Sequence, residues 1–130
     1  MNKKILIIDY GLGNILSIKN AVNYFGYDVI VTNDIKEIKS ASHIILPGVG
    51  AFPTAMKKLK DMDLMESMHE AKERNAFILG ICLGMQLLFT NSEEFELTNG
   101  INLMKGNIVK LDKFDISFKS KLPNIGWRSC

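Results

Sequence analysis

Phe77-Ile78-Leu79-Gly80-Ile81-Cys82-Leu83-Gly84-Met85-Gln86-Leu87-Leu88-Phe89 is an apolar run that holds one cysteine between two glycines. It is shorter than the roughly 20 apolar residues of a membrane span and is broken by glycine. It reads as a buried strand, a sharp turn and a helix, with Cys82 at the apex. A side chain displayed on such a turn has strained backbone angles, and the residues two before and two after it are forced into close approach. Gly80 and Gly84 stand at those two places. Backbone N–H groups at the head of the following helix then lie beside the sulfur, which favours negative charge on it and on a developing oxyanion. Cys82 is therefore a candidate nucleophile. The plain alternative is an inert core cysteine, because free cysteine is among the most buried residue types and two nearby glycines form a weak pattern by themselves.

The flanking sequence repeats the strand, turn and helix logic. Ile5-Leu6-Ile7-Ile8 is a continuous apolar run, as expected of a parallel strand buried on both faces. A turn over 9–14 follows, then Ile15, Ile18, Val22 and Phe25 at helical spacing, with Gly26 just past the helix end. Residues 28–32 make a second strand, and Asp34 with Glu37 three residues on is a capping box for a short helix. His43-Ile44-Ile45-Leu46 is a third strand, ending in Pro47-Gly48-Val49-Gly50. Helices are expected around 55–59 and from near Asp63, which stands three before Glu66; the second carries Leu64, Met68 and Ala71 on one face. The helix after Cys82 is expected to reach about Asn91. Four strands alternating with helices predict an α/β fold, a parallel sheet with right-handed crossovers and helices on both faces. Working residues of such sheets lie at the carboxyl ends of the strands, where the loops at 11–14, 47–50 and Cys82 all fall. After Ser92 the character changes: 103–111 and 115–118 read as shorter strands, with Gly106-Asn107 as a turn.

Composition narrows the function classes. The 130 residues suit one domain, and 47% hydrophobic content supports a core. Sixteen basic against fourteen acidic residues leave a net charge of +2, with lysines spread along the chain, which argues against a nucleic-acid groove and against a membrane anchor. The apolar start is ended by Asp9 too early for a signal peptide. Two cysteines, Cys82 and Cys130, make no disulfide framework, and a cytoplasmic location is expected.

Two further motifs have plain readings. Gly11-Leu12-Gly13 after a first strand suggests dinucleotide binding, but the third small residue of that fingerprint would fall at Leu16, and a tight turn explains what remains. A nucleophilic cysteine needs a histidine base. His43 opens the third strand, which puts it on the order of 13 Å from the carboxyl edge. His69 sits mid-helix and reads as structural.

Four motifs taken together, Ile8-Asp9-Tyr10-Gly11-Leu12-Gly13-Asn14, Leu46-Pro47-Gly48-Val49-Gly50-Ala51-Phe52, Leu79-Gly80-Ile81-Cys82-Leu83-Gly84-Met85-Gln86 and Pro123-Asn124-Ile125-Gly126-Trp127, resemble the class I glutamine amidotransferases, most of all the glutaminase subunits of imidazole glycerol phosphate synthases. The resemblance implies a flavodoxin-like, Rossmann-like sheet and hydrolysis of glutamine through a cysteine thioester, with no cofactor and no metal. It implies that ammonia passes to a partner synthase (cyclase) subunit in histidine biosynthesis. By the same resemblance Cys82 is the nucleophile, the N–H groups of Val49 and Leu83 form the oxyanion hole, Gly48, Gly50 and Gln86 hold the substrate, and Tyr10, Gly11 and Asn14 lie at the partner interface. The family carries a later His-x-Glu pair that completes its triad, and this sequence stops at Cys130 before any such segment. A C-terminally truncated single domain is therefore expected, close to inactive as given and with a sheet edge and an apolar face left uncovered. Asn124 and Arg128 stand where histidine-pathway members often have His and Asn, which leaves open a paralogue serving a surface-sugar synthase. A protease or stress-protein relative on the same sheet, and a non-enzymatic fragment that docks on a synthase, are the remaining alternatives.

Overall fold

The computed structural model describes residues 4–111 of the chain. Its elements are β1 (Lys4–Ile8), α1 (Ile15–Tyr24), β2 (Asp28–Thr32), α2 (Ile35–Ser40), β3 (His43–Leu46), α3 (Phe52–Asp61), α4 (Leu64–Glu73), β4 (Phe77–Gly80) and α5 (Leu83–Leu87). Three two-residue strands follow: β5 (Asn91–Ser92), β6 (Thr98–Asn99) and β7 (Asn107–Ile108). The first four strands form one parallel sheet in the order β2-β1-β3-β4. Register pairs Ile8 with Thr32 and Leu46 with Gly80, so the loops after β1, β3 and β4 leave the sheet at one edge. That edge is where the sequence places its unusual loops.

Alternation along the strands sorts the side chains by face. Leu6, Ile8, Ile44 and Leu46 join a buried cluster with Ile38 of α2, Phe52, Met56 and Leu59 of α3, and Leu64, Met68 and Ala71 of α4. The step from β1 to β2 runs across the sheet in the opposite direction to the steps from β2 to β3 and from β3 to β4. With right-handed crossovers, α1 must then cover the face opposite α2, α3 and α4. The cover on that second face is thin. No residue of α1 is fully buried, and on β4 Phe77 is 72% and Leu79 57% exposed.

Where the described elements depart from the sequence reading, hydrogen bonding explains it. The Asp34 side chain accepts from the N–H groups of Lys36 and Glu37 at 2.8 and 3.0 Å, as a helix cap should. The N–H of Asp34 itself goes to Thr32 Oγ1 at 3.0 Å, so Thr32 fills the half of the box expected of Glu37. Asp63 makes no side-chain cap at all: it is left-handed, with φ 54, because the chain turns from α3 straight into α4. Its N–H closes that turn on the Lys60 carbonyl at 3.0 Å.

The helix after Cys82 ends at Leu87, short of the expected Asn91. The carbonyls of Leu87, Leu88, Phe89 and Thr90 accept from Ile101, Met104, Asn102 and Gly100 of the returning chain, which takes the bonds that further helix would need. For the same reason residues 103–111 are not one strand: only Asn107–Ile108 pairs, beside β5, with β6 on the other side of β5. The strand expected at 115–118 and the motif at 123–127 lie outside the described residues. No helix of the described residues is long and apolar enough to cross a membrane.

Candidate active site

Cys82 is the second of the two residues between β4 and α5, and its backbone sits at φ 56 and ψ −122. A side chain with a Cβ rarely occupies that region, and the cost of holding it there is of order 1–3 kcal/mol. The thiol is free and exposed, which removes the reading of an inert core cysteine. Packing around the turn accounts for its shape. A Cβ on Gly84 would overlap the Leu46 carbonyl oxygen and stand 2.9 Å from the Pro47 carbonyl carbon, so α5 starts in backbone contact with the end of β3. Gly80 is equally tight, with Met85 N at 2.6 Å from its would-be Cβ. Larger residues at either place would push α5 off the sheet.

The 47–50 loop arrives from the neighbouring strand and lies directly against this turn. A Cβ on Gly48 would meet Gly84 N at 2.6 Å, Tyr10 Oη at 2.9 Å and Leu83 Cβ at 3.0 Å. Beyond it, Val49 is 48% exposed and Gly50 takes φ 90. Within the elbow, the N–H of Gly84 closes on the Ile81 carbonyl at 3.0 Å and that of Met85 on the Cys82 carbonyl at 3.1 Å. Among the described residues no acceptor takes the N–H of Leu83 or of Val49. These are the two donors named for an oxyanion hole, one from each loop. Gln86 is half-buried on α5, about one turn beyond the cysteine.

The 10–14 loop backs this arrangement from the other side. Tyr10, expected at a partner interface, is only 1% exposed, and its hydroxyl donates to the Pro47 carbonyl at 2.7 Å. Burial pushes its pKa up to about 12. The side chain is thus a prop under the 47–50 loop: its ring is buried and its polar tip satisfies the Pro47 carbonyl. A Cβ on Gly13 would come 2.8 Å from Pro47 Cβ, so the two loops touch at Pro47. Gly11 and Asn14 are exposed, and the Asn14 side chain caps α1 through Ser17 N at 3.3 Å.

Neither histidine reaches the cysteine. His43 Nδ1 is paired with Ser42 Oγ at 3.0 Å and its ring stacks on Phe77 with centroids 5.2 Å apart, at the amino edge of the sheet. His69 Nε2 is bonded to the Ile101 carbonyl at 2.7 Å. One contact had no local signal in the sequence: Glu94 Oε2 accepts from the N–H of Phe52, the first residue of α3, at 2.8 Å and across 42 positions of chain.

The comparisons with known proteins agree with this geometry. The family description "glutamine amidotransferase class-I" matches residues 6–129. A protein named imidazole glycerol phosphate synthase subunit HisH, from Caldanaerobacter subterraneus, is 47% identical over 123 residues, covering 95% of this chain and 58% of that protein. A protein of the same name from Lactococcus lactis is 44% identical over 125 residues, covering 96% and 59%. From Vibrio vulnificus, a subunit named HisH 2 is 47% identical over 128 residues, covering 97% and 58%. The chain spans less than two thirds of the length of these curated relatives. Among solved structures, a glutamine amidotransferase superposes with TM-score 0.68 at 14% identity, over 86% of this chain and 59% of that one. A protein assigned to peptidase E from Listeria monocytogenes gives 0.63 at 16%, over 78% and 63%. At such identities the two superpositions speak for the fold alone.

Proposed function

The chain belongs to the class I glutamine amidotransferase family, and from that premise we propose that it carries the nucleophile and oxyanion half of a glutaminase that feeds ammonia to a synthase subunit. The observation that carries the reading is an exposed cysteine at φ 56 on a strand-to-helix turn, with the 47–50 loop packed against the same turn.

In this reading Cys82 Sγ attacks the side-chain carbonyl carbon of glutamine. The carbonyl oxygen becomes an oxyanion and turns toward the N–H groups of Leu83 and Val49. Removing one such donor from a comparable hydrolase costs about 3–4 kcal/mol of transition-state stabilisation. Collapse of the intermediate breaks the C–N bond, and the thiol proton leaves with the nitrogen as ammonia. Water then cleaves the glutamyl thioester to glutamate and returns the thiol. Gly48 and Gly50 keep the loop free of side chains where substrate must approach, and Gln86 offers an amide to the amino-acid end of glutamine. Both proton transfers need a base. With His43 and His69 bound elsewhere, that base must come from outside residues 4–111. The synthase that takes up the ammonia is proposed to form imidazole glycerol phosphate, in histidine biosynthesis, by likeness to the named relatives. Gly11 and Asn14 are the exposed groups of the 10–14 loop available to it.

A diazo analogue of glutamine tests the proposal. Added to the full-length protein with its synthase, it should place one adduct on Cys82, slowed by glutamine and absent in Cys82→Ser. An unmodified Cys82 would overturn the assignment.

A further inference from the structure

A cavity of about 280 Å³ lies on the α2 side of the sheet, walled by Lys4 and Leu6 of β1, Ile30 of β2, and Glu37, Ser40 and Ser42 along and just after α2. Strand register builds its floor. Lys4 and Leu6 stand two apart on β1 and share a face, and Leu6 pairs with Ile30 of β2. Helix α2 roofs this floor only in part. Its inward Ile38 is fully buried, but the helix is six residues long and the chain turns extended at Ala41, with ψ 141. Ala41 and Ser42 are too small to fill the space beside Ile30, which stays half-buried. Two charges of opposite sign share the wall from different elements, Lys4 from the sheet and Glu37 from the helix. Among the described residues neither takes part in an ion pair. The rim hydroxyls are held locally: Ser40 Oγ donates to the Glu37 carbonyl at 3.1 Å, and Ser42 Oγ is paired with His43 Nδ1 at 3.0 Å. Having donated its proton, Ser40 Oγ keeps lone pairs for a further donor.

We propose that this cavity binds a small apolar α-amino acid as its zwitterion, with the ligand carboxylate on Lys4, its ammonium between Glu37 and Ser40 Oγ, and its side chain on Leu6 and Ile30. Either wall charge alone would be met by a counter-ion from solvent; the two together select a ligand that carries both signs. Size sets the upper limit. Small-molecule sites usually begin at roughly 300 Å³, so this one suits a single amino acid and is too small for a nucleotide. It is also separate from the glutamine site. Strand β3 alone, from His43 to Leu46, puts about 13 Å between Ser42 and the 47–50 loop, so the two sites lie at opposite ends of the strands. The proposal stands on the cavity and its charges, and does not depend on the role of Cys82.

L-Leucine titrated into the full-length protein, followed by methyl and amide NMR, tests this. Shifts of Leu6, Ile30 and residues 40–42 should move and saturate with a Kd of roughly 1–10 mM, the scale open to so small a ligand. Lys4 and Glu37 are exposed, so Lys4→Gln and Glu37→Gln should fold as wild type does, and each should weaken binding about tenfold by removing one charged partner. Two analogues probe the same contacts from the ligand side. 4-Methyl-2-oxopentanoate lacks the ammonium and 3-methylbutylamine lacks the carboxylate, and each should bind about tenfold more weakly than leucine. Shifts that fail to saturate would mean that the space is a packing gap under a short helix, and would overturn the proposal. So would leucine binding that both charge variants leave unchanged, analogues that bind as tightly as leucine, or shifts confined to residues 80–86 at the Cys82 turn.

Discussion

Cys82 pays for its display in backbone strain, and that strain is open to measurement. Glycine tolerates φ 56 and ψ −122, so Cys82→Gly should raise stability by about 1 kcal/mol over Cys82→Ala in urea titrations, while both variants lose the adduct. Equal stabilities would mean that the turn is relaxed. Tyr10 makes the opposite case, a residue whose polar tip is needed for stability. Tyr10→Phe removes the hydroxyl that the buried Pro47 carbonyl accepts from and should cost about 1–2 kcal/mol at neutral pH. The pH dependence has a definite sign. A folded-state pKa of about 12 lies above the unfolded value near 10, so the folded state holds its proton longer. The advantage of wild type over Tyr10→Phe is therefore complete below pH 10 and is lost as pH rises toward 12. In denaturant titrations between pH 8 and 12 the wild type should lose roughly 2 kcal/mol relative to Tyr10→Phe, enough to cancel its advantage. Residue types alone made Cys82, Gly80 and Gly84 legible, because close approach demands glycine. Resemblance puts Tyr10 at a partner interface, and nothing in a turn sequence tells that its side chain folds inward. Glu94 had no signal, since its contact with Phe52 depends on the path of the small sheet.

At the scale of elements, local periodicity was a good guide and termination a poor one. The strands β2 and β3 and the buried face of α4 follow from runs and spacings that are properties of the segment itself. Where helices stop depends on who takes their last carbonyls. Leu87, Leu88, Phe89 and Thr90 give theirs to residues 100–104, and only the folded molecule brings that segment there. The caps of α2 and α4 separate in the same way. Asp34 makes both expected bonds, so Asp34→Ala should cost about 1 kcal/mol in thermal or chemical unfolding. Asp63 makes none and stands at φ 54, so Asp63→Gly should stabilise by up to about 1 kcal/mol, where a true cap would lose a few tenths. A capping pattern in sequence states an opportunity, and the turn before the helix decides whether it is used.

At the scale of the molecule, the two faces of the sheet are unequal. One carries a full layer of α2, α3 and α4 over Leu6, Ile8, Ile44 and Leu46, and this layer holds the ends of β1, β3 and β4 in the register that brings the three loops together. The other has α1 over β1 and β2, with Phe77 and Leu79 exposed on β4. Among the described residues no strand pairs with the outer side of β4. An apolar edge strand of this kind is a template for pairing with another chain, and lysine is a common natural guard against it. The 130-residue chain should therefore self-associate with rising concentration, seen as growth in light scattering on warming. Leu79→Lys should suppress that growth by placing a charge on the exposed face, three residues from Cys82 in sequence and outside the contacts that shape its turn. Leu87→Lys, a charge in the buried cluster, should unfold the chain and increase scattering instead. A wild-type chain that stays monomeric and melts reversibly in one sharp step would show that the exposed edge is not a docking template.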